Sequence, residues 1–312
     1  MHILLAQPRG FCAGVTRAID IVSLALRRFG APIYVFHEIV HNQHVVQDLR
    51  RQGAVFVNSL DEVPVGATTI FSAHGVSRAV VDAAGRRGLH TLDATCPLVT
   101  KVHTQMQKYA ALGHHLVMVG HAGHEEVEGT IGSVDAPVTV VGSVAEVHAL
   151  PWPRGAPVAY VTQTTLSLDD ARDILQALRQ RYPDIVGPEL DDICYATQNR
   201  QNAVRDLAQR VQLLLIVGAR NSSNSNRLRE VAARNGCHAH LIQDADELQA
   251  QWWQDDAVRH IGISAGASTP ELLVTQVVQA LQRATGAQVT ALEGVQEQVL
   301  FRLPRALQEQ AA

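Results

Sequence analysis

Pro8-Arg9-Gly10-Phe11-Cys12-Ala13-Gly14-Val15 decides the reading of the whole chain, because its surroundings are written twice more. Before Cys12 runs an apolar strand-like stretch, His2-Ile-Leu-Leu-Ala. After it come Val15, Ala18, Ile19, Val22, Leu26 and Phe29 at helical spacing, a break at Gly30, and a second strand-like run, Pro32-Ile-Tyr-Val-Phe. Cys96, in Asp-Ala-Thr-Cys-Pro, is followed by a helical pattern from Leu98 to Leu112, a stop at Gly113, and the run His115-Leu-Val-Met-Val. Cys194, in Asp-Asp-Ile-Cys-Tyr, is followed by a helical pattern from Arg200 to Val211 and the run Leu213-Leu-Leu-Ile-Val. Each cysteine thus stands at a strand-to-helix turn. Cys96 lies 84 residues after Cys12 and Cys194 a further 98 on, so the repeat is domain-sized.

The loops after these strands fall in register. His41 lies 29 residues after its cysteine, His124 lies 28 after, and Ser223 lies 29 after. A later strand in each repeat also ends in a polar loop: Ser72-Ala-His74-Gly75, Gln163-Thr164-Thr165, and Ser268-Thr269. Strands alternating with helices across short turns predict an α/β fold with parallel-type sheets covered by helices. Ligands gather at the carboxyl ends of strands in such sheets, and every one of these loops lies there. The expected architecture is a trefoil of three α/β units related by a pseudo-threefold axis, with the cysteines at the centre. The expected divisions are residues 1–95, 96–193 and 194–285. Val289-Thr-Ala-Leu predicts a C-terminal return, 286–312, packed on the first unit.

Composition narrows the function. The chain has 312 residues, 46% hydrophobic and 18% charged, which excludes a disordered chain. No apolar run approaches the roughly 18 residues that span a bilayer, and the N-terminus lacks a basic segment followed by a long apolar one. A cytoplasmic protein is expected. Net charge is −4 and lysine occurs only at 101 and 108, so no basic stripe offers itself to nucleic acid.

Four cysteines in a reducing compartment do not suggest a disulfide framework. Buried small hydrophobes are the ordinary reading, and it suits Cys237, which falls between a helix and the next strand. Cys12, Cys96 and Cys194 share a register instead. Three converging thiolates suit zinc, though no local Cys-x-x-Cys or His pair accompanies them. They also suit an iron–sulfur cluster, which normally takes four cysteines; three leave one iron open for chemistry.

The loops describe a substrate. Asn221-Ser222-Ser223-Asn224-Ser225-Asn226, between a strand and a helix, offers hydroxyls, amides and helix-start N–H groups, a donor set that holds phosphate. Ordinary helix capping accounts for one such residue, not a run of them. His41, His74 and His124 add donors that titrate near neutrality. Glu126, two residues after His124, is the general-acid candidate, with Glu125 and Glu128 read as solvent-facing.

Taken together, PRGFCAGV (8–15), EIVHN (38–42), FSAHGVS (71–77), DATCPLVTKVH (93–103), GHAGHEEVEGT (120–130), TQTTLS (162–167), DDICYATQNRQ (191–201), NSSNSNRL (221–228) and AGAST (265–269) resemble the LytB family of 4-hydroxy-3-methylbut-2-enyl diphosphate reductases, from Ile3 to Phe301. The resemblance implies an oxidoreductase of the non-mevalonate isoprenoid pathway, forming isopentenyl and dimethylallyl diphosphate. It implies that Cys12, Cys96 and Cys194 hold one [4Fe–4S] cluster whose open iron takes the substrate hydroxyl. By the same token His41, His74, His124, Thr164, Thr165, Ser222, Ser223, Asn224 and Ser268 contact the substrate. Glu126 supplies protons and Thr164 relays them. An external one-electron donor, ferredoxin or flavodoxin with its reductase, is implied as partner. Glu125 departs from the family pattern, where proline commonly follows the histidine, and Cys237 matches no ligand. Two other readings share the thiols: a hydratase using the cluster only as Lewis acid, and a nucleic-acid-binding sensor, which the net charge disfavours.

Overall fold

The computed structural model describes residues 1–188, 193–255 and 257–308. Asp191 and Asp192 of the third cysteine motif, and residues 309–312 of the expected C-terminal return, lie outside these. The described chain opens with β1 (His2–Leu5) and α1 (Ala13–Phe29), which flank the Cys12 segment. Buried Gly14, Ala18, Ile21, Val22 and Ala25 form one stripe along α1.

Three all-parallel sheets follow. The first holds β2 (Ile33–Phe36), β3 (Ala54–Val57), β4 (Thr68–Phe71) and β5 (His90–Asp93) in the order β3-β2-β4-β5, with α2 (Gln43–Arg51) and α3 (Arg78–Arg86) as connections. After α4 (Pro97–Ala111), the second holds β6 (His115–Val119), β7 (Val138–Val141) and β8 (Val158–Thr162) in the order β7-β6-β8, with α5 (Glu125–Ile131), α6 (Val144–His148) and α7 (Leu168–Arg181). The third follows α8 (Tyr195–Ala208) and holds β9 (Leu213–Val217), β10 (His238–Ile242), β11 (His260–Ala265) and β12 (Gln288–Ala291), with α9 (Ser223–Arg234) and α10 (Glu271–Thr285); its order is β10-β9-β11-β1-β12.

The repeat read from the cysteines is therefore physical. β3-β2-β4, β7-β6-β8 and β10-β9-β11 are one arrangement made three times, each built on a central strand with a helix after it. The central strands are buried on both faces, as continuous apolar runs require: all five residues of β9 are buried, as are Leu116 to Val119 of β6. Each such Leu, Ile or Val stabilises by about 1.5–3 kcal/mol through burial.

Sheet membership differs from the division at 1–95, 96–193 and 194–285 in one respect. The strand before each cysteine closes the sheet of the preceding repeat. β5, before Cys96, pairs with β4; Val186, before Cys194, makes a single parallel bridge to Ala159 of β8; β1, before Cys12, pairs with β11. The first strand thus belongs with residues after 194, because β11 and β12 occupy both its edges. By density of contacts the chain forms two compact units. One comprises residues 1–12, 41–43 and 194–300, and the other 13–40, 44–193 and 301 onward. Helix α8 also begins earlier than its apolar pattern predicts, at Tyr195, because its inward face carries Thr197, Arg200 and Gln201. No helix of the described residues is long and apolar enough to cross a membrane.

Candidate active site

In the unit containing β9, the expected anion loop is the head of α9. Ser222 is its N-cap, its Oγ accepting the Ser225 N–H at 3.3 Å and the Ser225 hydroxyl at 3.0 Å. Ser223 is the first residue of the helix. Gly218 and Gly266, after β9 and β11, let the backbone close on Ser225, since a Cβ on either would lie about 2.2 or 2.1 Å from its Oγ. Asn224, 5% exposed, accepts the Ala267 N–H through Oδ1 at 2.9 Å. That bond fixes which amide atom points away. Nδ2 is buried without a hydrogen-bond partner among the described residues, a donor held ready for something else. The Ser268 hydroxyl donates to the His41 carbonyl at 2.9 Å, and Asn221 Nδ2 lies 3.5 Å from His41 Nδ1. His41, Ser222, Ser223, Asn224 and Ser268 are thus gathered at the carboxyl ends of β9 and β11.

Cys12 and Cys194 belong to the same unit. The Cys12 N–H donates to Ala267 O at 3.2 Å, tying its loop to the Ser268 turn, and Cys194 is the N-cap of α8. Burial, then the charge of Cys12, pushes the Cys194 thiol up to about 11, against the pull of N–H groups of Thr197 and Ala196. Burial and the neighbouring sulfur both disfavour a negative charge on Cys194, and a cation bound to the two sulfurs would offset both. These residues fit an iron centre. Cys237 is buried in the core beside Val211 and Leu214, its Sγ 3.6 Å from Val211 O, and burial raises its pKa.

The other unit carries the expected general acid, Glu126, with His124 and Thr164 beside it. His124 caps α5, its Nδ1 accepting the Glu126 N–H at 3.1 Å, which leaves the ring proton on Nε2. Glu126 is 2% exposed. Its Oε1 accepts the Thr164 N–H at 2.6 Å and its Oε2 lies 2.8 Å from the Thr164 hydroxyl. Thr165 Oγ1 accepts from buried Gln163, whose Oε1 takes the His121 N–H at 3.0 Å; Gln163 gave no signal in the sequence beyond its place at a strand end. Cys96 is the N-cap of α4, ahead of Pro97, and its N–H donates to Ala73 O at 3.0 Å, one residue from His74. The His74 ring stands edge-on to His124 at 6.0 Å.

Glu125 departs from the solvent-facing reading. It is the first residue of α5, with Oε2 2.9 Å from His74 Nδ1 and Oε1 3.9 Å from His37 Nδ1. It lines a cleft of about 920 Å³ with His37, Gly75, Arg78 and Glu128. The place of α5 is set by Gly129: a side chain there would press on Gly75 O at 3.1 Å, and the Arg78 N–H bonds Gly132 O at 2.8 Å. Glu128 follows expectation, its exposed carboxylate accepting the Gly123 N–H.

With this geometry in hand, comparison with known proteins is decisive. The sequence profile of the family described as LytB protein matches residues 3–282. The chain belongs to the LytB family. It is 57% identical over 307 residues to 4-hydroxy-3-methylbut-2-enyl diphosphate reductase 2 of Bradyrhizobium diazoefficiens, covering 98% of this chain and 99% of that one. It is 56% identical over 312 residues to the 4-hydroxy-3-methylbut-2-enyl diphosphate reductase of Burkholderia pseudomallei, covering 100% and 99%. The solved structure of the Plasmodium falciparum E-1-hydroxy-2-methyl-but-2-enyl-4-diphosphate reductase superposes with a TM-score of 0.94 at 36% identity, over 98% of this chain and 96% of that one. A second solved reductase, described as the terminal enzyme of the non-mevalonate pathway, gives 0.64 at 31% identity, over 91% and 100%. The α/β fold with three parallel sheets is that of the LytB reductases.

Proposed function

We propose that this LytB-family chain reduces (E)-4-hydroxy-3-methylbut-2-enyl diphosphate to isopentenyl and dimethylallyl diphosphate, the terminal step of the non-mevalonate pathway. Two electrons and two protons enter, the carbon–oxygen bond of the terminal hydroxyl breaks, and its oxygen leaves as water. Cys12, Cys96 and Cys194 are the residues that would hold a [4Fe–4S] cluster. When bound, the cluster supplies the electrons, received singly from ferredoxin or flavodoxin, and an iron with no protein ligand. A reducing cytoplasm is the compartment that keeps three such thiols available.

The chain's own residues do the rest. Asn224 Nδ2, the Ser222 and Ser223 groups and the first N–H groups of α9 bind the diphosphate, with Ser268 and His41 completing the cradle. His124 offers its Nε2–H as a neutral donor, and His74 adds a donor beside it. Thr165, ordered by Gln163, lines the same strand end. Thr164 can take a proton from Glu126 Oε2 while passing its own onward.

The Glu126–Thr164 pair carries the reading: a carboxylate 2% exposed, bound twice by one threonine at a strand's carboxyl end. The test is an anaerobic assay with counted reductant and counted iron. Two electrons per product are expected; turnover without reductant would leave a hydratase. Replacing Cys12, Cys96 or Cys194 by Ser should strip iron and activity, because two thiolates cannot hold the cluster, whereas Cys237→Ser should keep both. An active, iron-free Cys12→Ser protein would overturn the proposal.

A further inference from the structure

Two arginines repeat a pattern that the mechanism leaves unused. Arg200, on α8 six residues after Cys194, is completely buried. Its Nε and Nη2 donate to Gly10 O at 3.0 and 2.8 Å, and Nη2 also reaches Phe11 O at 3.1 Å. These are the carbonyls directly before Cys12. The guanidinium is anchored from behind by Ala196 O at 2.9 Å and by both oxygens of Glu297, at 3.0 and 3.2 Å. In the other unit, Arg17, on α1 five residues after Cys12, makes the same gesture. Its Nη1 donates to Thr95 O at 3.0 Å and its Nη2 to Asp93 O at 3.4 Å, the carbonyls before Cys96, while Nε is anchored on Arg302 O at 2.8 Å.

In each unit, then, a helix that follows one cysteine sends a planar fork to the carbonyls that precede another. The C-terminal segment supplies the back anchor both times, through Glu297 in one unit and Arg302 in the other. We propose that Arg17 and Arg200 are positioning residues for the metal centre, which fix where the Cys96 and Cys12 thiols stand before iron is bound. This rests on the reading of Cys12, Cys96 and Cys194 as cluster ligands.

The chemistry favours positioning over bulk stability. A guanidinium fork bonded to two carbonyls of one short segment, Gly10 and Phe11 in one case and Asp93 and Thr95 in the other, fixes the direction of the chain, which a single point charge cannot do. Buried and fully bonded, Arg200 adds little net stability over a well-packed apolar residue, so a purely structural need would not select it. The adjoining surface pair on the Cys12 loop, Arg9 with Glu271 at 2.5 Å, gives an internal control, because the Glu271 side chain is half exposed.

Glu297→Gln removes the anchor of Arg200 while keeping shape, Arg17→Gln removes the second fork, Arg17→Lys keeps only its charge, and Glu271→Gln is the control. Each protein is reconstituted anaerobically. Iron per chain, the rate of iron loss to a chelator, and the melting temperature of the metal-free chain are then measured. Glu297→Gln and Arg17→Gln should lose iron at least five-fold faster than wild type, with melting temperatures near that of wild type. Glu271→Gln should match wild type, and Arg17→Lys should fall between wild type and Arg17→Gln. Equal rates of iron loss in all four variants and wild type would overturn the proposal. Loss that simply follows a fall in melting temperature would overturn it too, leaving a structural role. Wild-type protein that takes up no iron through its three thiols would bring down the cluster reading, and this proposal with it.

Discussion

The heads of α5 and α9 occupy the same station in the repeat, and they solve it in opposite ways. Each helix follows the central strand of its repeat, β6 or β9, so each N-terminus carries N–H groups with no acceptor inside the helix at the strand's carboxyl end. Helix α5 brings its own anions: Glu125, Glu126 and Glu128 lie in its first turn under a histidine cap. Helix α9 has no acidic residue in its first turn and is capped by Ser222, with Asn224 Nδ2 buried without a hydrogen-bond partner among the described residues. A helix start that carries carboxylates is already electrically satisfied, whereas one lined with neutral donors is open to a ligand's negative charge. In the function proposed above, one backbone position serves proton handling in one repeat and anion binding in another, and the side chains decide which.

The strongest test of this contrast is Glu126→Gln. Gln keeps the size and can still accept from the Thr164 N–H, but it has no transferable proton. Turnover should fall by about 100-fold or more, the scale of general acid catalysis, while substrate affinity changes little. Steady-state rates and binding titrations on the reduced, iron-loaded protein check both halves. If affinity collapsed instead, the head of α5 would be an anion site after all, and the contrast would be lost.

Next in size is the reverse exchange. Asn224→Asp gives α9 a carboxylate of the kind α5 carries, so it should repel a diphosphate and weaken binding more than Asn224→Ala does. The Ala variant, and Ser222→Ala, should each weaken binding by roughly 10- to 100-fold, the 1.5–3 kcal/mol of a hydrogen bond to a charged oxygen. Binding isotherms for substrate or inorganic diphosphate measure this directly. Unchanged affinity in both Ala variants would reduce the Ser/Asn run to helix capping.

Much of the fold is legible in the sequence alone. The apolar runs at 115–119 and 213–217 coincide with β6 and β9 residue for residue, because strands buried on both faces cannot hide their composition. The Ser/Asn run, too, announced its donors. What the chain did not disclose lies where polar residues turn inward. Helix α8 packs Thr197, Arg200 and Gln201 inside, so its apolar periodicity begins a turn late and the Arg200 fork passes for surface charge. Likewise the strand before each cysteine reads as the start of its own unit, since nothing local states that β1 pairs with β11 some 258 residues later. Long-range pairing is set by which sheet edges remain open, not by the strand's own residues. Glu125 is the third case: its contact with His74 joins the head of α5 to the loop after β4, far apart in sequence, and the sequence suggested only a solvated neighbour of Glu126.

Glu125 also yields the smallest effect and the finest division within α5. Its carboxylate faces His74 at 2.9 Å, both side chains partly exposed, so solvent screens the pair to the 0.2–1 kcal/mol usual for such contacts. Glu125→Gln should therefore raise KM by about two- to five-fold through a less well-held His74, with kcat almost unchanged, and added salt should narrow the difference. The position allows a sharper version. Residue 125 is the first of α5, where the N–H needs no partner within the helix, so proline is accepted there with its backbone already suited. Glu125→Pro should thus retain the helix and the His124 cap on the Glu126 N–H, and show the same KM shift as Glu125→Gln. If Pro restored wild-type KM while Gln did not, the effect of Gln would come from its own contacts and not from loss of the ion pair. If both variants lost kcat as heavily as Glu126→Gln, the two adjacent carboxylates would share the proton-handling role that we propose for Glu126 alone.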